Sequence, residues 1–440
     1  MTESVPGPTS GDNSNSAPAV RGGKGLSGRL SQLSTQATGQ PSEPPATPPS
    51  NGTLERLRAT TRLRGSGGNA RPLPPKSKNE PALAEQLGAE LLAPGLLRVV
   101  TRIPAGSPHG TCHLEKPTPV AMGHFGAESE IPPIAIDTET TGLSGGTGTV
   151  PFLIGLARQA ETTIEITQYV ITQFKGESEM LLEVASMLDT DSPLLSYNGK
   201  PFDIPLLRTR YRLHHLPDPF SPHIHLDLLP AVRRAYARRW PNCSLTRAER
   251  ELLGFVRQGD IPGNEIPDVW THLLRTGQPG RLAEVIAHNR DDLISLYILP
   301  NALYRAINAP ARTGAAGTAA AEEHLRRGER RAALNHLKTH MSCLDERGQR
   351  LLARLAEREG DRELAIGLWR EMAVRDDPEA LERLAVHYEH RAPNVSKALE
   401  LVERLLIASD YSAERRAQHE RRHTRLLRKA AAKDALTQHR

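Results

Sequence analysis

The sequence predicts an α/β protein: a mixed sheet flanked by helices, followed by an all-α region of helical repeats. Three observations carry this. Runs rich in Ile, Val and Leu, punctuated by Gly or Pro, lie between about residues 96 and 199 and read as strands. Segments with apolar residues at helical spacing interleave with them and continue beyond them. From about residue 315 onward the composition turns to Ala, Leu, Glu and Arg, with related blocks recurring.

Taken in order, residues 1–80 read as a disordered tail rich in Pro, Ser and Gly. PGPTSGDNSNS and QPSEPPATPPSNG have almost no apolar periodicity, so they bury too little surface to offset the entropy of ordering. Arg56, Arg58, Arg62 and Arg64 in this tail could contact nucleic acid or simply solvate a linker. The chain of 440 residues is only 38% hydrophobic and 4% aromatic, in keeping with such a segment.

Residues 81–310 form the predicted α/β domain. Its strands are LLRVVTR, IPPIAID, PFLIGLA, TIEITQYVI and the short PLLSYNG. Its helices are SEMLLEVASML, FDIPLLRTRYRLHHL, LDLLPAVRRAYARR, SLTRAERELLG and RLAEVIAHNRDDLISLYILPNALYRAI. Residues 311–440 are helical throughout. RRGERRAALNHL, REGDRELAIGLW and EHRAPNVSKALELV align on Ala333, Ala365 and Ala398, spaced 32 and 33 residues apart. That spacing approximates the 34-residue tetratricopeptide period, and a TPR-like stack would offer a concave surface to a protein partner. A plain helical bundle is the alternative.

Bulk properties narrow the function classes. A formal net charge of +5 and a pI of about 9.1 suit a phosphate-bearing partner without requiring one. No stretch approaches the ~20 apolar residues of a membrane span. The N-terminal residues lack the pattern of a secretory signal. Cys112, Cys243 and Cys343 lie far apart, against a zinc ribbon or a disulfide framework. A reducing cytoplasm is the expected compartment.

The chemistry concentrates in three places. In IAIDTETTGL an apolar strand ends in Asp137-Thr138-Glu139, and strand alternation puts Asp137 and Glu139 on one face. Two carboxylates so close repel one another, and a divalent cation with a taste for oxygen ligands would relieve them. A solvated strand end is the other reading. The second place is Asn198-Gly199-Lys200-Pro201-Phe202-Asp203, where a strand runs into a turn and a helix starts near Asp203. Asp203 is there either a site acid or an ordinary helix cap. The third is His288-Asn289-Arg290-Asp291-Asp292, where residues i and i+4 share a helix face. His288 and Asp292 could thus aim at one site, or pair on the surface, with Asp291 facing elsewhere.

Together, in this chain order, Asp137, Glu139, Asp203 and Asp292 match the four carboxylates of the DEDD exonucleases. DTETTGLSGGTGT, YNGKPFDIPLL, HLDLL, CSLTRAERELLG and HNRDDLISL resemble the YprB-like ribonuclease-H-like family, whose members often carry TPR-like repeats. The resemblance spans roughly residues 90–305. It implies a ribonuclease-H-like mixed sheet and a metal-dependent 3′→5′ exonuclease of the DEDD type acting on DNA or RNA. By similarity, the four carboxylates would hold two Mg²⁺ or Mn²⁺ ions, one activating water and the other stabilising the leaving 3′ oxygen. His288 would be the general base. The commonest family patterns place four residues between His and the last Asp, or three after a Tyr. Here His288 has three, as if in the tyrosine's place.

Thr138, Asn198, Lys200 and Phe202 flank these acids as candidate substrate contacts, although Phe202 also reads as a core residue. Asp227 reads as a helix cap or, alternatively, as an acid that supports the site from behind. Ser144–Thr149 is glycine-rich but joins two strands and lacks the P-loop lysine, so a hairpin loop is expected. The run from Arg233 to Trp240 interleaves arginines with Tyr236 and Trp240, as either a stacking surface for bases or a helix with its aromatics packed inward. A non-catalytic module that binds nucleic acid while the repeats recruit a protein is the competing account.

Overall fold

The structure is a computed structural model that describes residues 80–142, 148–188, 191–408 and 412–438. The tail expected over 1–80 lies outside them except for Glu80. That residue opens helix α1 (Glu80–Gln86), and its buried carboxylate accepts hydrogen bonds from Gly95 N, Thr172 Oγ1 and Gln173 Nε2.

Seven strands form one mixed sheet: β1 (Glu90–Ala93), β2 (Leu96–Pro104), β5 (Ile134–Thr140), β6 (Pro151–Ala160), β7 (Thr163–Ile171), β8 (Leu194–Ser196) and β9 (His225–Asp227). A small separate ladder, β3 (Pro108–His109) with β4 (Cys112–His113), falls between the second and third of these. The spatial order is β1-β2-β7-β6-β5-β8-β9. The first five pair antiparallel along this order, while β5-β8 and β8-β9 are parallel. Strands β6 and β7 are buried almost throughout rather than on alternate residues, as happens where both faces of a sheet are covered.

Helix α3 (Glu177–Met187) connects β7 to β8, and α4 (Asp203–Leu213) connects β8 to β9. These crossovers bring the carboxyl ends of β5, β8 and β9 to one edge, the usual place for a site in a parallel sheet. The β5 and β6 strands pair antiparallel, as a hairpin connection requires, though residues 143–147 of their glycine-rich link lie outside the described residues.

Several elements escaped the sequence. Within LDLLPAVRRAYARR the chain first makes β9, a three-residue strand too short to show a period, and then α5 (Leu229–Tyr236). SLTRAERELLG is α6 (Leu245–Ala248) followed by a π-helical turn, Glu249–Leu253, closed by Gly254 at φ +62°. Helices α2 (Pro119–His124) and α7 (Ile266–Thr276) also went unread. The long final pattern is one helix, α8 (Leu282–Ile307), with Pro300 inside it. Its second half is buried almost all round, because it lies between the sheet and the helices that follow.

After the short α9 (Pro310–Thr313) come α10 (Ala319–Arg326), α11 (Arg330–Thr339), α12 (Glu346–Arg358), α13 (Arg362–Ala373), α14 (Pro378–His390), α15 (Val395–Ala408) and α16 (Ala413–Gln438). Asp345, Asp361 and Asp377 cap three of these helices through side-chain bonds to backbone N–H groups. Gly328 and Gly360, at φ +81° and +87°, make the turns before α11 and α13. Ala333, Ala365 and Ala398 sit on α11, α13 and α15 and are buried within one shared core.

The Arg233–Trp240 run settles as the junction between sheet and helices. Tyr236 is buried and stacks on Trp240 at 4.1 Å between ring centroids. Arg234 donates to Glu323 at 2.7 Å from Nε, Arg238 pairs with Asp345, and Arg239 reaches Gly314 O. The aromatics pack inward, and these three arginines tie the α/β part to the helical part. Among the described residues no helix is long and apolar enough to cross a membrane, and Cys112, Cys243 and Cys343 are free thiols.

Candidate metal centre

Strand β5 carries three polar residues just past its buried Ile134-Ala135-Ile136. Asp137 Oδ2 accepts a 2.7 Å hydrogen bond from Asn289 Nδ2 on α8. Asn289 is itself fully buried, and its Oδ1 accepts at 2.8 Å from Gln168 Nε2 on β7. Gly155 pairs with both Asp137 and Gln168 across the sheet, and its missing side chain leaves room for that amide. A Cβ at 155 would lie 2.2 Å from Asn289 Oδ1.

Glu139, two residues on, meets the same helix one turn away. Ligand atoms of Glu139, His288 and Asp292 all lie within 4.8 Å of one another. His288 Nε2 is 3.5 Å from Asp292 Oδ2 and 4.0 Å from Glu139 Oε1, so the i, i+4 pair does aim at one place. Asp291 turns aside and pairs with Arg290 at 2.9 Å.

Asp203 is the first residue of α4, and its carboxylate accepts from Thr138 Oγ1 rather than capping from the N-cap position, which Phe202 holds. The turn before it is strained on purpose: Asn198 sits at φ +67°, and Asp227 Oδ1 and Oδ2 accept from Asn198 N and Lys200 N at 2.8 and 3.1 Å. Asp227 also accepts from Leu229 N, the first residue of α5, so its carboxylate clasps this turn to the start of that helix from outside the N-cap position, which Leu228 holds. Lys200 is exposed. Phe202 is 56% exposed beside Asp203, which corrects its reading as a core residue; the turn points it outward.

Two residues the sequence did not single out complete the centre. Arg257, from the loop after the π turn, is buried and forms a double hydrogen bond with the wholly buried Glu249, at 2.8 and 2.5 Å. The same guanidinium reaches Asp292 and approaches His288 Nδ1 at 3.1 Å. Asp260 Oδ1 stands 2.6 Å from His288 Nδ1. Glu249 lay within the quoted CSLTRAERELLG motif, but only folding could bring that helix against α8.

The electrostatics follow from burial. Asp137 is pushed well above the usual carboxylate range by desolvation first, then by Asp292, Glu139 and Asp203. Glu139 is raised likewise by desolvation, Asp292 and Asp203, with Arg257 opposing. Asp203 rises to about 6 through burial, against the hydrogen bond from Thr138. The four carboxylates therefore share one crowded, poorly hydrated volume. Oxygen donors with one imidazole, offset in part by Arg257, are a donor set that suits a hard divalent cation.

A sheet of this order with acids at this edge defines a nuclease-type fold of the ribonuclease H kind. Residues 134–304 match the family model described as RNase_H superfamily. The chain is also 32% identical over 304 residues to a Bacillus subtilis (strain 168) protein named "Uncharacterized protein YprB", covering 66% of this chain and 73% of that one. The chain belongs to the RNase H superfamily, whose members generally hydrolyse nucleic-acid phosphodiesters with divalent metals.

Proposed function

We propose that this protein is a metal-dependent 3′→5′ exonuclease of the DEDD type, hydrolysing DNA or RNA with two Mg²⁺ or Mn²⁺ ions. The observation that carries this reading is the convergence of Asp137, Glu139, Asp203 and Asp292, from three separate elements, where burial and the neighbouring carboxylates raise the proton affinity of Asp137, Glu139 and Asp203. Arg257 offsets Asp292 and opposes the rise at Glu139, and a divalent cation among the acids would offset the rest. In the proposed centre these four hold the ions, and bound divalent metal supplies water activation and leaving-group stabilisation.

The chain's own residues do the rest. Asn289 orients Asp137, and Thr138 orients Asp203. His288, whose Nε2 faces Glu139 and Asp292, accepts the proton of the attacking water. Lys200 and Phe202 stand exposed at the rim, the first for a phosphate and the second for stacking on a base; Asn198 shapes the turn that presents them. The helices from 311 onward are read as TPR-like repeats, with a groove of about 960 Å³ lined by Arg350, Arg354, Arg362, Arg383 and Trp369 as the surface for a partner protein. Three free thiols suit a reducing cytoplasm.

The test is degradation of 5′-labelled single-stranded RNA and DNA with Mn²⁺ or Mg²⁺, wild type against Asp137→Ala. A metal-dependent ladder shortening from the 3′ end in wild type alone supports the reading. A folded wild-type protein that gains thermal stability with Mn²⁺ yet cuts nothing would favour the non-catalytic binding account.

A further inference from the structure

We propose that Asp260 is a positioning residue for His288, fixing the imidazole in the tautomer that carries its hydrogen on Nδ1 and presents a bare Nε2 to Glu139 and Asp292. This deepens the nuclease reading and rests on it for its catalytic consequence. A neutral imidazole has one N–H, and the nitrogen with the best acceptor keeps it. Nδ1 has the Asp260 carboxylate at 2.6 Å, whereas Nε2 has its nearest carboxylate oxygen at 3.5 Å. The shorter contact is a charge-assisted hydrogen bond, and the longer one is not a hydrogen bond of normal length.

Arg257 Nη1, 3.1 Å from Nδ1, is the rival partner, since it could donate to an unprotonated Nδ1. Its contact is the longer of the two, 3.1 Å against 2.6 Å for Asp260 Oδ1, and most of that guanidinium is engaged by other acids. Its Nε and Nη2 hold Glu249, Nη2 also reaches Asp292, and Nη1 has Asp260 Oδ2 at 3.4 Å. The arginine and the imidazole therefore converge on one carboxylate as two donors. The loop that carries Asp260 supports the placement: Gly259, at φ +66°, bends the chain back immediately before it. An otherwise exposed loop thus delivers an acid to the outer side of His288.

The inner side of the ring is where this matters. A proton-accepting Nε2 and a metal-ligating Nε2 both need a lone pair there, and an Nε2–H tautomer would supply neither. Ligating and basic histidines gain the same fixation from a carboxylate on the far nitrogen.

The test uses the full chain labelled with ¹⁵N-histidine, with the His288 signals assigned by difference from His288→Gln. Wild type should show the Nδ1–H tautomer, and Asp260→Leu should show Nε2–H, because Arg257 Nη1 is then the remaining polar partner of Nδ1 and donates to it. On a 5′-labelled single-stranded oligonucleotide with Mn²⁺, Asp260→Leu should lower kcat about 10–100-fold, with KM within about two-fold. In a His288→Ala background the same change should do nothing more. An unaltered tautomer in Asp260→Leu, or equal losses in both backgrounds, overturns the proposal. If wild type cuts no substrate, the nuclease reading fails, while the tautomer measurement still decides Asp260's part.

Discussion

Asn289 spans the gap between helix and strand with both ends of one buried amide: its Nδ2 donates to Asp137 at 2.7 Å, and its Oδ1 accepts from Gln168 at 2.8 Å. The orientation of Asp137 is thereby set from two elements at once. Asn289→Leu would leave the buried Gln168 amide and Asp137 each short of a partner. Stability should fall by about 1–3 kcal/mol in denaturant melts. Mn²⁺ affinity should fall about 10–100-fold by calorimetric titration. Unchanged metal binding would mean that Asp137 does not depend on this amide.

Gly155 faces that amide across the sheet. In Gly155→Ala the new methyl would meet Asn289 Oδ1 at 2.2 Å and Leu293 Cδ1 at 2.6 Å, so the helix or the amide must move. The cost should be about 1–3 kcal/mol from overpacking, with metal affinity reduced alongside. Alanine tolerated at 155 with no loss of either would show that α8 is held less firmly than the packing indicates.

The acid cluster has a signature in pH. Burial raises Asp203 from 3.8 to about 6, so the folded protein binds this proton more tightly than the unfolded chain. Its stability contribution is full below about 3.8 and is lost as pH rises through about 6. In chelator, the thermal advantage of Asp203→Asn over wild type should therefore grow from pH 4 to above 6 and then level. The buried His109 and His124 and the half-buried His336, lowered chiefly by desolvation to about 4, 3 and 4, act in the opposite sense. They weaken the wild-type fold as pH falls from 6.5 toward 4, which is why the mutant difference, rather than the raw curve, is the measurement.

Arg257 and Glu249 are buried as a pair, with Glu249 fully inaccessible. Arg257→Met strands that carboxylate, and a loss of about 3–5 kcal/mol is expected by chemical denaturation. Adding Glu249→Gln should restore part of it, since the fully inaccessible carboxylate is then no longer charged and unpaired. A double variant as unstable as the single one would argue against this account.

At the junction, Arg234 and the buried Glu323 link α5 to α10. A double-mutant cycle to Ala should give a coupling of about 0.5–3 kcal/mol, read from thermal or denaturant unfolding. Additive effects would show that the two parts are tied by apolar contact alone.

Much of the site was readable because its acids lie in short contiguous patterns. The alternation in Asp137-Thr138-Glu139 and the four-residue step from His288 to Asp292 are local geometry, and both residues of each pair do face one place. Asn289 stood beside His288 in the same motif, yet its role depends on Gln168 and Gly155, far away in the chain. Arg257 and Asp260 sit in a loop with no periodicity to mark them. Phe202 was misjudged as core because apolar character alone does not say which way a turn points; the left-handed Asn198 and the clasp of Asp227 decide that.

By itself, then, the sequence determined the mixed sheet, the long helix α8 and the helical run after it, and it paired Asp137 with Glu139 and His288 with Asp292, all matters of periodicity and spacing within one element; Asp203 joined them only through the resemblance in motif order. Only the tertiary structure decided how those acids are supported: the Gln168–Asn289–Asp137 chain, the Glu249–Arg257–Asp292 pairings and the Asp260–His288 contact each join residues from different elements. It also turned the basic, aromatic run of α5 into a junction rather than a surface. Hydrogen bonds and ion pairs depend on distances of a few ångströms between segments remote in sequence, and a linear pattern carries no record of them.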